Sequence, residues 1–184
     1  YEKTNSSKNS SSRLRFLLGE RYRSKNGGYK DVYNVTAPFE WDGKTLLAGR
    51  VEERDSEHSE VVFFEQKEAG WEPVSGAPVF ELQDPFVTKV GEWLVMGGVE
   101  VFPDEENPNA LCWRTAFYKG KKLTDLRLFA KGPDRMKDIR LLELSDGRIL
   151  VAVRPQGEIG GRGKIGFLVV KSLDELTKER MESA

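Results

Sequence analysis

Histidine and cysteine are nearly absent from the 184 residues: His58 and Cys112 stand alone. One of each cannot complete the usual zinc ligand sets, so no metal is expected. Neither residue has an obvious partner for a nucleophilic triad. A single cysteine also excludes an internal disulfide framework, which fits a reducing compartment and predicts a cytoplasmic protein. Net charge is lacking as well. The 29 Lys+Arg and 30 Asp+Glu residues nearly cancel, and no nucleic acid or anionic membrane is expected as a partner. No apolar run approaches the ~20 residues of a membrane span. No basic start leads into an apolar signal segment. The chain opens on Tyr1 rather than Met, as a processed, trimmed or partial chain does. Glu53–Glu60 lacks the glycine and spacing of a calcium loop. The glycine-rich stretch 160–166 has Glu158 and Ile165 where a phosphate loop needs Gly and Ser/Thr, and reads as a tight turn.

What is present divides in two. Residues 1–31 read as a flexible or loop-rich segment: positions 4–12 are polar and low in complexity, with too little apolar surface to offset the entropy of ordering, and a basic stretch follows from Arg21 to Lys30. Residues 32–184 carry short apolar runs separated by turn residues. Strands are predicted at Thr45–Arg50, Val61–Gln66, Trp93–Gly98, Leu111–Tyr118, Leu126–Ala130, Arg140–Leu144, Ile149–Arg154 and Lys164–Val170, with turns at Asp42-Gly43, Gly91 and Asp146-Gly147. Only the tail reads as helix, with Ser172 and Glu175 as a capping box ahead of Leu176 and Met181.

The strands repeat. Superposing Gly43, Gly91 and Gly147 gives offsets of 48 and 56 residues, near the spacing of propeller blades. Seven residues beyond each glycine lie Arg50, Gly98 and Arg154; nine beyond lie Glu52, Glu100 and Gln156. Positions two apart share one face of a strand. Arg50 with Glu52, and Arg154 with Gln156, therefore either converge on a central funnel or form ordinary ion pairs at strand ends. The expectation is an all-β chain of propeller type. Three units do not close a ring of ~4–8 blades, so the propeller domain at 32–184 is expected to be partial. An open edge on its last blade would invite self-association.

The residues able to carry chemistry are carboxylates and arginines. Asp84 stands before Pro85 where the innermost strand of a unit begins, and serves as a general acid if its neighbours favour the protonated form. Arg50, Arg114, Arg140 and Arg154 offer forked donors for phosphate or carboxylate. One acid beside arginines suits glycosyl transfer to or from phosphate. Hydrolysis with inversion would need a second carboxylate roughly 6.5–9.5 Å from the first, with Glu52, Glu100 and Asp138 as the candidates.

The segments Tyr33–Phe39, Gly49–Glu52, Gln83–Phe86, Gly97–Glu100, Trp113–Thr115, Met136–Arg140 and Arg154–Gly157 together resemble the mannosyltransferase–phosphorylase family, domain of unknown function 1861, which acts on β-1,2-linked mannose oligomers. A more distant similarity is to the mannoside phosphorylases of glycoside hydrolase family 130. The resemblance implies a five-bladed propeller, of which this chain covers about three blades. It implies that Asp84 is the catalytic proton donor and that Asn34, Arg50, Glu52, Asp138, Arg154 and Gln156 contact sugar. Arg114 and Arg140 then hold phosphate, an inorganic co-substrate, with no cofactor. The partner expected is an oligosaccharide or sugar phosphate. A water-dependent mannosidase and a non-catalytic sugar-binding module are the competing readings.

Overall fold

Alternating β-branched and aromatic residues, punctuated by two-residue turns, favour antiparallel meanders, and meanders are what form. The computed structural model describes residues 22–23, 29–53, 58–105, 107, 109–156, 160–161 and 163–184. Most of the segment expected to be loop-rich, 1–31, lies outside the described residues, as does Arg162 of the glycine-rich stretch. The chain forms two compact units, one running to Glu81 and one from Leu82.

In the first unit, β1 (Tyr22–Arg23), β2 (Tyr29–Tyr33), β3 (Phe39–Trp41), β4 (Lys44–Glu52), β5 (Ser59–Lys67) and β6 (Gly70–Pro73) make one sheet in the order β1-β2-β4-β5-β6, with β3 also on β4. The β3–β4 hairpin turns through Asp42 and Gly43, at φ 50° and 70°. Two positive φ values are the pairing whose twist matches the flanking strands, hence the Asp-Gly sequence. β2 and β3 share one edge of β4, opposite Arg50–Glu52 and Lys44–Leu46 respectively. Thr36 fills the gap between them: its amide donates to the Ala48 carbonyl and its Oγ1 accepts from the Ala48 amide. Leu47, Val51, Val62 and Phe64 form a buried cluster against Val32 and Trp71.

The second unit holds two sheets. β7 (Gln83–Val90), β8 (Trp93–Pro103), β9 (Leu111–Gly120) and β10 (Arg127–Lys131) pair in the order β10-β9-β8-β7, and β11 (Arg140–Glu143), β12 (Ile149–Val153) and β13 (Gly166–Val170) pair in sequence. One core joins them, with Phe86, Val95 and Phe117 packed with Ile139, Ile149, Val151 and Val153. Each such large apolar side chain, fully buried, contributes about 1.5–3 kcal/mol. Cys112 is buried and free, a packing residue.

The three superposed glycines occupy equivalent places, joining the first two strands of each repeat: β3–β4, β7–β8 and β11–β12. The chain is all-β with a short C-terminal helix, as expected. The tail differs in detail. Ser172 precedes a single 3₁₀ turn, Leu173–Glu175, and makes no side-chain cap. Glu175 instead accepts from the Lys171 amide and from Arg180. The α-helix, α1 (Lys178–Glu182), begins later, and Thr177 caps it by accepting from the Arg180 amide. Met181 explains the later start, because its fully buried side chain anchors this turn in the core. Among the described residues no helix is long and apolar enough to cross a membrane.

Candidate functional site

Asparagine and aspartate tolerate the left-handed backbone region better than other non-glycine residues. Asn34, Asp84 and Asp138 all adopt it, at φ 47°, 47° and 62°. These are three of the residues singled out from sequence: Asn34 directly follows β2, Asp84 is the second residue of β7 and Asp138 lies just before β11. Such conformations cost of order 1–3 kcal/mol and cluster at functional sites.

Asp84 sits on a β-bulge. Gln83 pairs with Val99 and Phe86 with Gly97, so Asp84 and Pro85 together oppose Gly98. A bulge bends its strand and re-aims a side chain. Gly98 makes room for it: a Cβ there would stand 3.0 Å from the Gln83 carbonyl oxygen and from the Leu82 Cβ. The slot occupied by arginine in the other two repeats is therefore glycine here, because the bulged backbone takes up the space.

Asp138 leads into β11 from a segment tied to β9. The Gly132 amide donates to the Thr115 carbonyl and the Arg135 amide to the Trp113 carbonyl, at 2.7 Å each. Thr115, completely buried, accepts the Ile139 amide on its Oγ1 at 3.3 Å. The loop so fixed presents Asp138 between two arginines. Arg154 Nη1 donates to Asp138 Oδ2 at 2.6 Å, and Arg140 Nη2 lies 3.8 Å from Oδ1. Gly163 backs onto this arginine, since a Cβ there would meet Arg154 Nε at 3.2 Å. The Arg140 guanidinium lies over the Phe86 ring at 4.9 Å. Burial pulls Arg140 down from the ordinary arginine value, while the charges of Asp138 and Asp84 push it back up. Asp84, Arg140, Asp138 and Arg154 thus form one electrostatic group within the second unit. Gln156 lies three residues past β12, half-buried.

Arg114 belongs to a second cluster. Its Nε donates to Glu100 Oε2 at 2.7 Å, Nη1 reaches Asp134 at 3.2 Å, and Lys131 holds the other Glu100 oxygen at 2.9 Å. Burial alone would raise the Glu100 carboxyl, but the hydrogen bonds from Lys131 and Arg114 hold it below its usual range. Burial, reinforced by Glu100, pushes the Tyr118 phenol up.

In the first unit Arg50 Nε donates to Glu52 at 3.0 Å and to Ser59 Oγ at 2.8 Å. The Tyr33 hydroxyl and Ser59 hydroxyl also donate to Glu52. The Arg50 guanidinium covers the Tyr33 ring at 5.0 Å. Arg50 and Glu52 share a face, as their spacing requires. Tyr33, Ser59, Thr115 and Lys131 were not picked out from sequence. Tyr33 and Thr115 lie inside the motifs that carry the resemblance, whereas Ser59 and Lys131 had no sequence signal.

Comparison with known proteins gives a consistent picture. The sequence matches the family described as "Protein of unknown function (DUF1861)" over residues 10–184. A mannose phosphorylase of Leishmania mexicana, MPT-4, solved with a phosphate ion, is 34% identical, with a TM-score of 0.76 over 97% of this chain and 56% of its own. A GDP-Man-dependent mannosyltransferase of the same organism, MPT-1, is 35% identical, with a TM-score of 0.71 over 84% of this chain and 48% of its own. A hypothetical protein of Leishmania major is 36% identical, with a TM-score of 0.70 over 84% and 49%. No curated protein matches. The chain spans about half the length of these solved relatives. With its matched residues reaching from position 10 to the last, the chain belongs to the DUF1861 family, among relatives that include a mannose phosphorylase and a mannosyltransferase.

Proposed function

We propose that this chain carries the acid-bearing part of a phosphate-dependent mannoside enzyme, which cleaves or builds β-1,2-mannose oligomers with mannose 1-phosphate as the sugar donor or product. The observation that carries the reading is Asp84, held in a left-handed bulge with Arg140 close enough to feel its charge. In the cleaving direction a phosphate oxygen attacks the anomeric carbon, the glycosidic C–O bond breaks, and Asp84 delivers its proton to the departing oxygen, directly or through a sugar hydroxyl. The products are mannose 1-phosphate and an oligomer one sugar shorter. Arg140 and Arg114 would hold the phosphate through their forked donors. In the second unit Asp138, Arg154 and Gln156 would contact sugar hydroxyls; in the first unit Asn34, Arg50 and Glu52 carry groups suited to the same role. The phosphate is a co-substrate and no cofactor enters. Closure into a five-bladed propeller, with further contacts from blades this chain does not contain, belongs to the same reading.

The hydrolytic alternative requires a free carboxylate as base. Each candidate is instead held by an arginine: Glu52 by Arg50, Glu100 by Arg114 and Asp138 by Arg154. A base must lie within hydrogen-bond reach of the water it activates, and here arginines occupy these carboxylates, which favours phosphate over water.

The test is phosphate release from mannose 1-phosphate, or GDP release from GDP-mannose as an alternative donor, with mannose or β-1,2-mannobiose as acceptor, for the chain and for Asp84→Asn. Turnover that Asp84→Asn lowers by about 10²–10⁴ supports the assignment. Turnover retained in Asp84→Asn removes Asp84 from the role of acid. Oligosaccharide binding without turnover in either protein supports a binding module.

A further inference from the structure

Past the bulge, β8 runs on for several residues. Gly98, Glu100 and Phe102 are alternate positions and share one face of the strand. Gly98 opposes the bulge at Asp84, Glu100 pairs with Arg114, and Phe102 pairs with Cys112. Phe102 thus lies about 13 Å from Gly98 along the strand. There the second unit contains a cleft of about 280 Å³, lined by Phe102, Asp104, Glu105, Cys112, Asp134 and Arg135. That volume is near the lower end of small-molecule sites, about 300 Å³. None of these six residues has a part in the reaction proposed for Asp84.

The lining is held in place. The Asp104 side chain is only 9% exposed. Arg135 Nη2 donates to its Oδ2 at 2.7 Å, and the Asn107 amide donates to its Oδ1 at 3.3 Å. Arg135 itself adopts the left-handed backbone region, at φ 63°. Arginine is uncommon there, and such strain persists only where surrounding contacts over-determine it, most often at functional sites. Here those contacts are Asp104 and the Trp113 carbonyl, which accepts the Arg135 amide. On the apolar side, the Arg114 guanidinium lies over the Phe102 ring at 4.2 Å, and Cys112 is buried beside Phe102 in the register.

The charges select the ligand. Arg135 holds Asp104, while Arg114 Nη1 at 3.2 Å and Lys178 Nζ at 3.6 Å hold Asp134. A cation would have to displace these partners, and among the described residues no group of three His, Cys, Asp or Glu could hold a metal ion. An anion would meet three carboxylates, Glu105 included. A neutral polyhydroxyl ligand meets neither conflict. Each hydroxyl both donates and accepts, so it can bond to a carboxylate and a guanidinium that stand side by side, both as charge-assisted bonds. The C–H face of a sugar ring suits Phe102 and Cys112. We propose that this cleft is a second sugar-binding site, which holds a neutral sugar unit of an oligosaccharide away from Asp84. That the oligosaccharide is a mannoside rests on the proposed function; its neutral polyhydroxyl character rests on the cleft alone.

The test titrates β-1,2-mannotriose into the 184-residue chain and follows backbone amide shifts by NMR, which reads each region separately. The expected result is saturable shifts at Phe102, Cys112 and Arg135 that inorganic phosphate does not reverse. Phe102→Ala and Arg135→Gly should each weaken this binding by about tenfold or more, while Asp84→Asn should leave it unchanged. Glycine accepts the left-handed backbone without penalty, so affinity lost in Arg135→Gly is not a symptom of unfolding. Saturable shifts at the cleft in a chain that shows no turnover would sustain this site and remove only the catalytic assignment. Absence of binding to the wild type, shifts confined to the surroundings of Asp84, displacement by phosphate, or an affinity indifferent to both substitutions would each overturn the proposal.

Discussion

Asp84 and Gly98 oppose one another across a β-bulge, with two residues of β7, Asp84 and Pro85, set against the single Gly98 of β8. The bulge and the glycine go together: the Leu82–Gln83 segment that leads into Asp84 takes up the space that a side chain at position 98 would occupy.

Relief of this strain should therefore separate stability from function. Asp84→Gly removes the left-handed penalty and should stabilise the fold by up to about 1 kcal/mol in urea unfolding, while abolishing whatever turnover the proposed function gives. Asp84→Asn, which tolerates the same backbone, should leave stability within about 0.5 kcal/mol. An Asp84→Gly variant less stable than the wild type would show that contacts of the carboxylate outweigh the strain.

The glycines facing the bulge should be intolerant for a packing reason. A Cβ on Gly97 would lie 2.2 Å from Phe86 Cε1, inside the core. Gly97→Ala should cost about 1–3 kcal/mol through overpacking, read as a lowered denaturation midpoint. Gly98→Ala pushes on the backbone of the bulge itself, so under the proposed function its main effect should fall on turnover in the mannose 1-phosphate assay.

Thr115 should act as a positioning residue for Asp138. Thr115→Val keeps the shape but leaves the Ile139 amide without its acceptor, costing about 1–3 kcal/mol. Thr115→Ser keeps the acceptor and, under the proposed function, should recover sugar-phosphate affinity more fully than stability, because it still lacks a buried methyl. Equal affinity in the Val and Ser variants would remove the hydrogen bond from the account.

Acid should weaken the Glu100 cluster. Lys131 and Arg114 hold the folded-state carboxyl below its ordinary value of 4.5, so the group binds protons more readily when unfolded. Its stabilising contribution is complete above that value and is lost as pH falls through the lower folded value. Glu100→Gln should be less stable than the wild type at neutral pH, and the gap in melting temperature should close as pH drops below about 4.5. A gap independent of pH would show that the cluster acts through packing.

The sequence was informative where the signal was local. The three turn glycines and the β-branched runs of β4, β5, β8, β9, β12 and β13 identified an all-β repeat, because two-residue turns and apolar alternation act within a few residues. The strands β1, β2, β3 and β6 were not predicted, and of β7 only its start near Asp84 was expected. Tyr29–Tyr33 carries two charges in five residues and is a strand because β4 pairs with it across an intervening segment, whereas Phe39–Trp41 is only three residues long and is completed by the hairpin to β4. The tail helix was expected at a plausible cap, Ser172, but the burial of Met181 moved it to Thr177.

The site divides the same way. Residue type alone marked Asp84 as an acid ahead of a proline, and spacing alone put Arg50 and Glu52 on one face of a strand. The bulge, the left-handed turns at Asn34, Asp84 and Asp138, and the gathering of Arg140 and Arg154 on Asp138 were decided by tertiary structure. Backbone strain persists only where surrounding contacts over-determine it, and at Asp138 those contacts come from Thr115 on a different sheet. Local chemistry chose the groups, and long-range packing decided which of them meet.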